Sequence, residues 1–122
     1  SNFESTQITK LDELDNSGNY VYSNMPNQSI GVLKGSLIGD ISPLIRSWNN
    51  SSSAQLIILD CENLVRIDPT AAAILLGWIR KQNREDVIIQ MNQVHRLVAI
   101  YLFSIGLSVK NKINLLNLKN ES

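Results

Sequence analysis

The sequence predicts an α/β domain built on a mixed β-sheet of four or five strands, with helices packed mainly against one face. Three observations carry that expectation. Short apolar runs with β-branched members recur at 30–38, 55–60, 87–91 and 113–118. Segments of helical period separate them, and Asp40-Ile-Ser42-Pro43 and Ile67-Asp68-Pro69-Thr70 set capping and first-turn residues where two of those helices should open. Strands that alternate with helices build layered α/β structures.

Each element follows from local chemistry. Residues 1–28 are rich in Ser, Asn, Asp and Glu and can bury little surface, so they read as a flexible N-terminal arm with a short edge strand at Tyr20-Val21-Tyr22. The domain proper is expected over 29–118, followed by a polar tail at 119–122. Its first strand covers 30–38 and bends at Gly35. Ser42 then serves as N-cap and Pro43 as first helical residue of a short helix carrying Leu44, Ile45 and Trp48, which ends in the polar run 49–53. The run 55–60 is apolar throughout, as expected of a central strand buried on both faces and closed by Asp60. A turn through 61–66 leads to a second helix from Asp68 to about Asn83. A polar loop at 84–86, a strand at 87–91, a third helix over 93–105 stopped by Gly106, and a last strand at 113–118 complete the order.

Composition excludes several function classes. A chain of 122 residues suits one domain. Its 11 basic residues balance 11 acidic ones, leaving no net field to attract nucleic acid or an anionic membrane surface. The apolar stretches are too short and interrupted to span a bilayer, so stable membrane insertion is not expected, and the N-terminus has no signal-peptide pattern. One cysteine, Cys61, rules out an internal disulfide, and with the lone His95 it falls short of a zinc ligand set; neither a metal nor a cofactor is expected. The expected compartment is the reducing cytoplasm.

The ordered set of Gly35-Ser-Leu37, Leu56-Ile-Ile-Leu-Asp60, Ile67-Asp68-Pro69-Thr70-Ala71-Ala72 leading into Leu75-Leu76, and Leu102-Phe-Ser-Ile-Gly106-Leu107 resembles the STAS domains of bacterial regulatory systems. The resemblance covers residues 30–118. It implies a protein-binding role, as in anti-sigma-factor antagonists, which bind and release an anti-sigma kinase. It equally admits an accessory subunit that binds the ATPase of an Mla-type lipid-transport ABC system. In the antagonists the loop after the central strand reads Asp-Ser-Ser-Gly and its second Ser is phosphorylated. Asp68, Pro69, Thr70 and Ala71 stand in those positions, so Thr70 is the phosphoacceptor that the resemblance implies, with Pro69 and Ala71 departing from the pattern.

The residues themselves point to surfaces rather than to catalysis. At about 100° per residue, Ala72, Leu75, Leu76 and Ile79 share a core-facing arc of the second helix. Thr70, Ile74, Trp78 and Lys81 form a second stripe expected to look away from the sheet, and an outward tryptophan is either covered by its own chain or meets a partner. The partner-binding set is therefore Asp68, Thr70, Ala71, Ile74, Trp78 and Lys81, with Asp68 also the helix cap. In the third helix Val94, Val98, Tyr101, Leu102 and Ile105 should face the core, while Arg96, Ile100 and Phe103 look outward and offer a self-association surface. A structural homodimer without a switch is thus a third reading. Enzymatic readings are weaker: Cys61 and His95 carry no local nucleophile signature, and the glycines of 31–39 lack the Gly-Lys-Ser/Thr ending of a phosphate loop.

Overall fold

Parallel pairing of strands joined by helices sets the architecture. The computed structural model describes residues 20–25, 27–49, 54–110 and 113–120, so of the arm expected over 1–28, residues 1–19 and Pro26 lie outside the described residues. In chain order the elements are β1 (Tyr20–Met25), β2 (Gln28–Leu37), α1 (Ser42–Asn49), β3 (Leu56–Ile67), α2 (Pro69–Arg84), β4 (Ile88–Val94), α3 (Arg96–Ser104) and β5 (Asn114–Leu118). The sheet order is β1-β2-β3-β4-β5. β1 is antiparallel to β2, and the remaining neighbours are parallel, giving the mixed sheet expected from the sequence.

Each helix connects two neighbouring strands and every step moves the same way across the sheet. With the right-handed sense such crossovers take, α1, α2 and α3 fall on one face. Burial alternates accordingly. Ile57, Leu59 and Cys61 of β3 and Ile89 and Met91 of β4 are buried beneath the helices, whereas Leu56, Ile58, Ile88 and Gln90 on the opposite face are half-buried. β3 is central, as expected, but it is buried on one face and not on both.

The largest departure from expectation is at 61–66, where a turn was expected and β3 runs on to Ile67. β4 pairs with β3 only as far as Asp60↔Asn92, but β2 stays alongside to Leu37↔Ile67. Two register shifts in the β2–β3 ladder, between Val32 and Lys34 and between Gly35 and Ser36, break the simple alternation, so that Cys61, Leu64 and Ile67 face the core at intervals of three. Gly35, at the second shift, has φ +75°, a conformation open to glycine. The end of the continuous apolar run at Asp60 is what made this stretch read as a turn.

The third helix is shorter than the expected 93–105. β4 extends to Val94, Gln93 takes a left-handed φ of 59°, and His95 caps the helix by accepting the Leu97 amide on Nδ1 at 3.1 Å. Val94 is therefore a strand residue, and Ile105, already past the last helical turn, is exposed instead of joining the core. Gly106 does close the helix: its amide donates to Phe103 and that of Leu107 to Leu102, the paired bonds of a Schellman ending.

Candidate functional site

The junction between β3 and α2 is held by one side chain. Asp68 precedes Pro69 at the first helical position and caps α2 by accepting the Ala71 amide on Oδ1 at 2.8 Å. Its second oxygen accepts the Gly39 amide at 2.9 Å, and its own amide donates to the Leu37 carbonyl at 3.0 Å. Asp68 thus ties the β2–α1 loop to the start of α2. The Ala71 and Gly39 amides hold its carboxyl below the usual carboxylate range against a smaller desolvation effect, with lesser help from the Thr70 amide and the Arg66 charge. Across the loop, Asp40 accepts the Ser42 amide at 2.9 Å and precedes the helix, so the capping interaction expected of Ser42 comes from Asp40.

The rim that this knot presents is open. Thr70, in the first turn of α2, is exposed, and Ile38, next to Gly39, is 51% exposed. Along α2 the exposed ridge continues through Ala73, Gly77 and Lys81. Ile74 is half-buried and packs on the core.

Two members of the expected partner-binding set are placed otherwise. Ala71 is fully buried, and Trp78 is 5% exposed with its ring centroid 5.0 Å from that of Trp48 in an edge-to-face arrangement at 68°. The cause is α1, which brings Trp48 against α2. At about 100° per residue the buried side of α2 spans roughly 160°, from Trp78 through Ala71 to Leu76, because the helix contacts both the sheet and a second helix. The smooth ridge of Ala73 and Gly77 escaped notice in the sequence because small residues carry no hydropathy signal. Ile38 escaped notice because it continues the apolar run of β2.

No family model matches the sequence, and no match was found among curated proteins. The fold does have solved counterparts. A chain of RsbS from Moorella thermoacetica carrying a serine-to-glutamate substitution superposes with a TM-score of 0.57 at 14% identity, covering 79% of this chain and 85% of that one. RsbS is a STAS-domain protein.

This chain has a STAS-type fold.

Within the STAS framework, Thr70 and Asp68 lie at the start of the helix that follows the central strand. The cysteine and histidine singled out in the sequence have structural surroundings. Cys61 is buried on β3 with its thiol 3.6 Å from the Leu59 carbonyl, and burial, then the nearby Asp60 charge, push its pKa up to about 12. Such a thiol stays protonated at neutral pH. His95 is the cap of α3 rather than a residue on its face. Asp60 accepts the Glu62 amide at 3.1 Å within β3, where a turn was expected. Among the described residues no cluster of three His, Cys, Asp or Glu side chains has the makings of a metal site, and no helix is long and apolar enough to cross a membrane.

Proposed function

We propose that this STAS-type domain is a non-enzymatic binding module of the bacterial cytoplasm that docks on a regulatory protein through the rim at the start of α2, in the manner of an anti-sigma-factor antagonist. The observation that carries the reading is the double use of Asp68, whose two carboxylate oxygens fix the Ala71 and Gly39 amides and so hold exposed Thr70 and Ile38 on one rigid rim. A rigid, partly apolar rim leaves little to be ordered on binding. The ridge of Ala73 and Gly77 allows a partner helix to approach the α2 backbone closely, with Ile74 lining its side and Lys81 adding a charge at its far end. Trp78 and Ala71 support this face from beneath.

Phosphorylation of Thr70 is the switch in this reading. The group would sit at the positive end of α2 while placing about −2 of charge beside Ile38, so it would repel a partner fitted to the unmodified rim. The test is capture from the native cytoplasm with wild type, Thr70→Glu and Gly77→Arg side by side. Retention of an anti-sigma-type kinase by wild type and its loss in both variants supports the reading. Retention of a transporter ATPase moves the domain to the accessory-subunit role, and partners indifferent to both variants remove the rim from consideration.

One observation favours a second reading, self-association through α3. Leu97, Ile100 and Phe103 are 69%, 52% and 46% exposed on adjacent turns, a contiguous apolar strip of the kind that interfaces use. A dimer in light scattering that becomes a monomer on Ile100→Glu supports a structural homodimer, and a monomeric wild type removes it.

A further inference from the structure

The described helices cover the sheet on one side only. All of them lie on the face of Leu59 and Met91, and the opposite face carries Ile30 and Val32 of β2, Leu56 and Ile58 of β3, Ile88 of β4 and Leu115 of β5. Register joins these into one patch: Ile30 pairs with Ile58 and Leu56 with Ile88, while Gln90 bridges Ile58 to Leu115. Each is half-buried, and none belongs to the core beneath the helices or packs against it. Aliphatic side chains gathered on one sheet face favour a cover, because apolar area is costly to leave in water.

The chain supplies a candidate at the right place. Tyr20 opens β1 opposite Val32, so the residues before it reach the sheet beside this patch. Residues 1–19 carry few apolar side chains, yet Ile8, Leu11 and Leu14 recur at intervals of three. At about 100° per residue they fall within an arc of about 120°, with Thr9, Lys10, Asp12 and Glu13 off it. A helix rises about 9 Å from Ile8 to Leu14, roughly two strand spacings. The linking residues 15–19 read Asp-Asn-Ser-Gly-Asn, turn-forming types that reach at most about 18 Å when extended. In a sheet of this order β3 and β4 lie about 10 Å and about 14 Å from β1, within that reach.

We propose that the chain's own segment 8–14 docks on this face as an amphipathic helix, with Ile8, Leu11 and Leu14 against Ile58, Ile88 and Leu115. A helix this short does not hold in water alone, so it forms with the contact. The tether to β1 favours this occupant over a free partner, since it keeps the segment at high local concentration. Asp12 and Glu13 on its outer side replace an apolar face with a charged one, which opposes pairing of two copies through their sheets.

The test uses the full chain with methyl-labelled isoleucine and leucine, in which nuclear Overhauser contacts between methyl groups are read. Contacts from Ile8, Leu11 and Leu14 to Ile58, Ile88 and Leu115 are expected. Leu11→Asp should abolish them and shift the Ile58 and Ile88 methyl resonances, with the amide spectrum of the remaining domain confirming an intact fold. Thr9→Asp, which adds the same charge off the stripe, should keep them. Absence of the contacts in wild type overturns the proposal, as does their survival in Leu11→Asp or their equal loss in Thr9→Asp. In a mixture of differently labelled chains, contacts that pass between chains put a second copy on the face and overturn it too.

Discussion

Trp48 of α1 and Trp78 of α2 meet edge to face with centroids 5.0 Å apart, and through this contact the shortest of the described helices is fixed to the longest of them. Both rings are buried, so each contributes a large apolar area besides the ring–ring geometry. Trp48→Ala and Trp78→Ala should each cost about 3–5 kcal/mol. Because the two share one contact, the double variant should lose less than the sum, by about 0.5–1.5 kcal/mol. Denaturant unfolding of the four proteins at constant m-value measures the coupling, and strict additivity would show that the rings do not stabilise one another.

Asp68 makes the domain sensitive to acid. Its folded pKa lies below the ordinary carboxylate value of 3.8 because the Ala71 and Gly39 amides bond the charged form. The unfolded chain therefore takes up the proton first, and stability from this group is complete above the unfolded value and is lost as pH falls from about 4 through the folded value. Asp68→Ala should lower the melting midpoint by several degrees at neutral pH, and the gap between variant and wild type should narrow below pH about 4. Melting curves over this range check it, and a gap independent of pH would mean that the carboxylate charge contributes nothing.

Capping chemistry and strand composition made most of this fold legible in the sequence. Asp68-Pro69 announces α2 because a carboxylate and a ring-fixed φ suit the first turn whatever surrounds them. Short apolar runs with β-branched members announce the strands, because such residues suit a pleated layer under helices. What stayed hidden depends on tertiary contact. The far half of β3 is strand because β2 accompanies it, and its two register shifts erase the alternation that would have shown it. Trp78 is inside because α1 arrives beside it, and hydropathy along α2 alone cannot count its neighbours. At the candidate site, the acid and the hydroxyl were visible as residue types, but the bond from Gly39 to Asp68 spans 29 positions and no local pattern encodes it.

Asp86 occupies a left-handed position that glycine would fill more cheaply. With φ of 63° it follows the end of α2, donating its amide to Asn83 while Val87 donates to Gln82. The side chain is exposed, so little beyond the backbone is at stake. Asp86→Gly should stabilise the domain by about 0.5–1 kcal/mol, since the residue no longer carries the cost of the left-handed region. Denaturant midpoints compare the two proteins, and destabilisation would imply that the carboxylate has a role outside this turn.

Cys61 reports on the integrity of the core. A thiol raised to about 12 and enclosed beneath the helices offers almost no thiolate near neutrality. Its labelling by an aromatic disulfide reagent at pH 7 should be at least about a hundredfold slower in the native protein than in denaturant, because it waits for an opening of the β3–α2 layer. The same enclosure argues against a nucleophile at this position, since burial that protects a thiol also disables it. Rapid labelling of the native protein would instead show that the β3 core is breached at neutral pH, and would return Cys61 to the list of reactive groups.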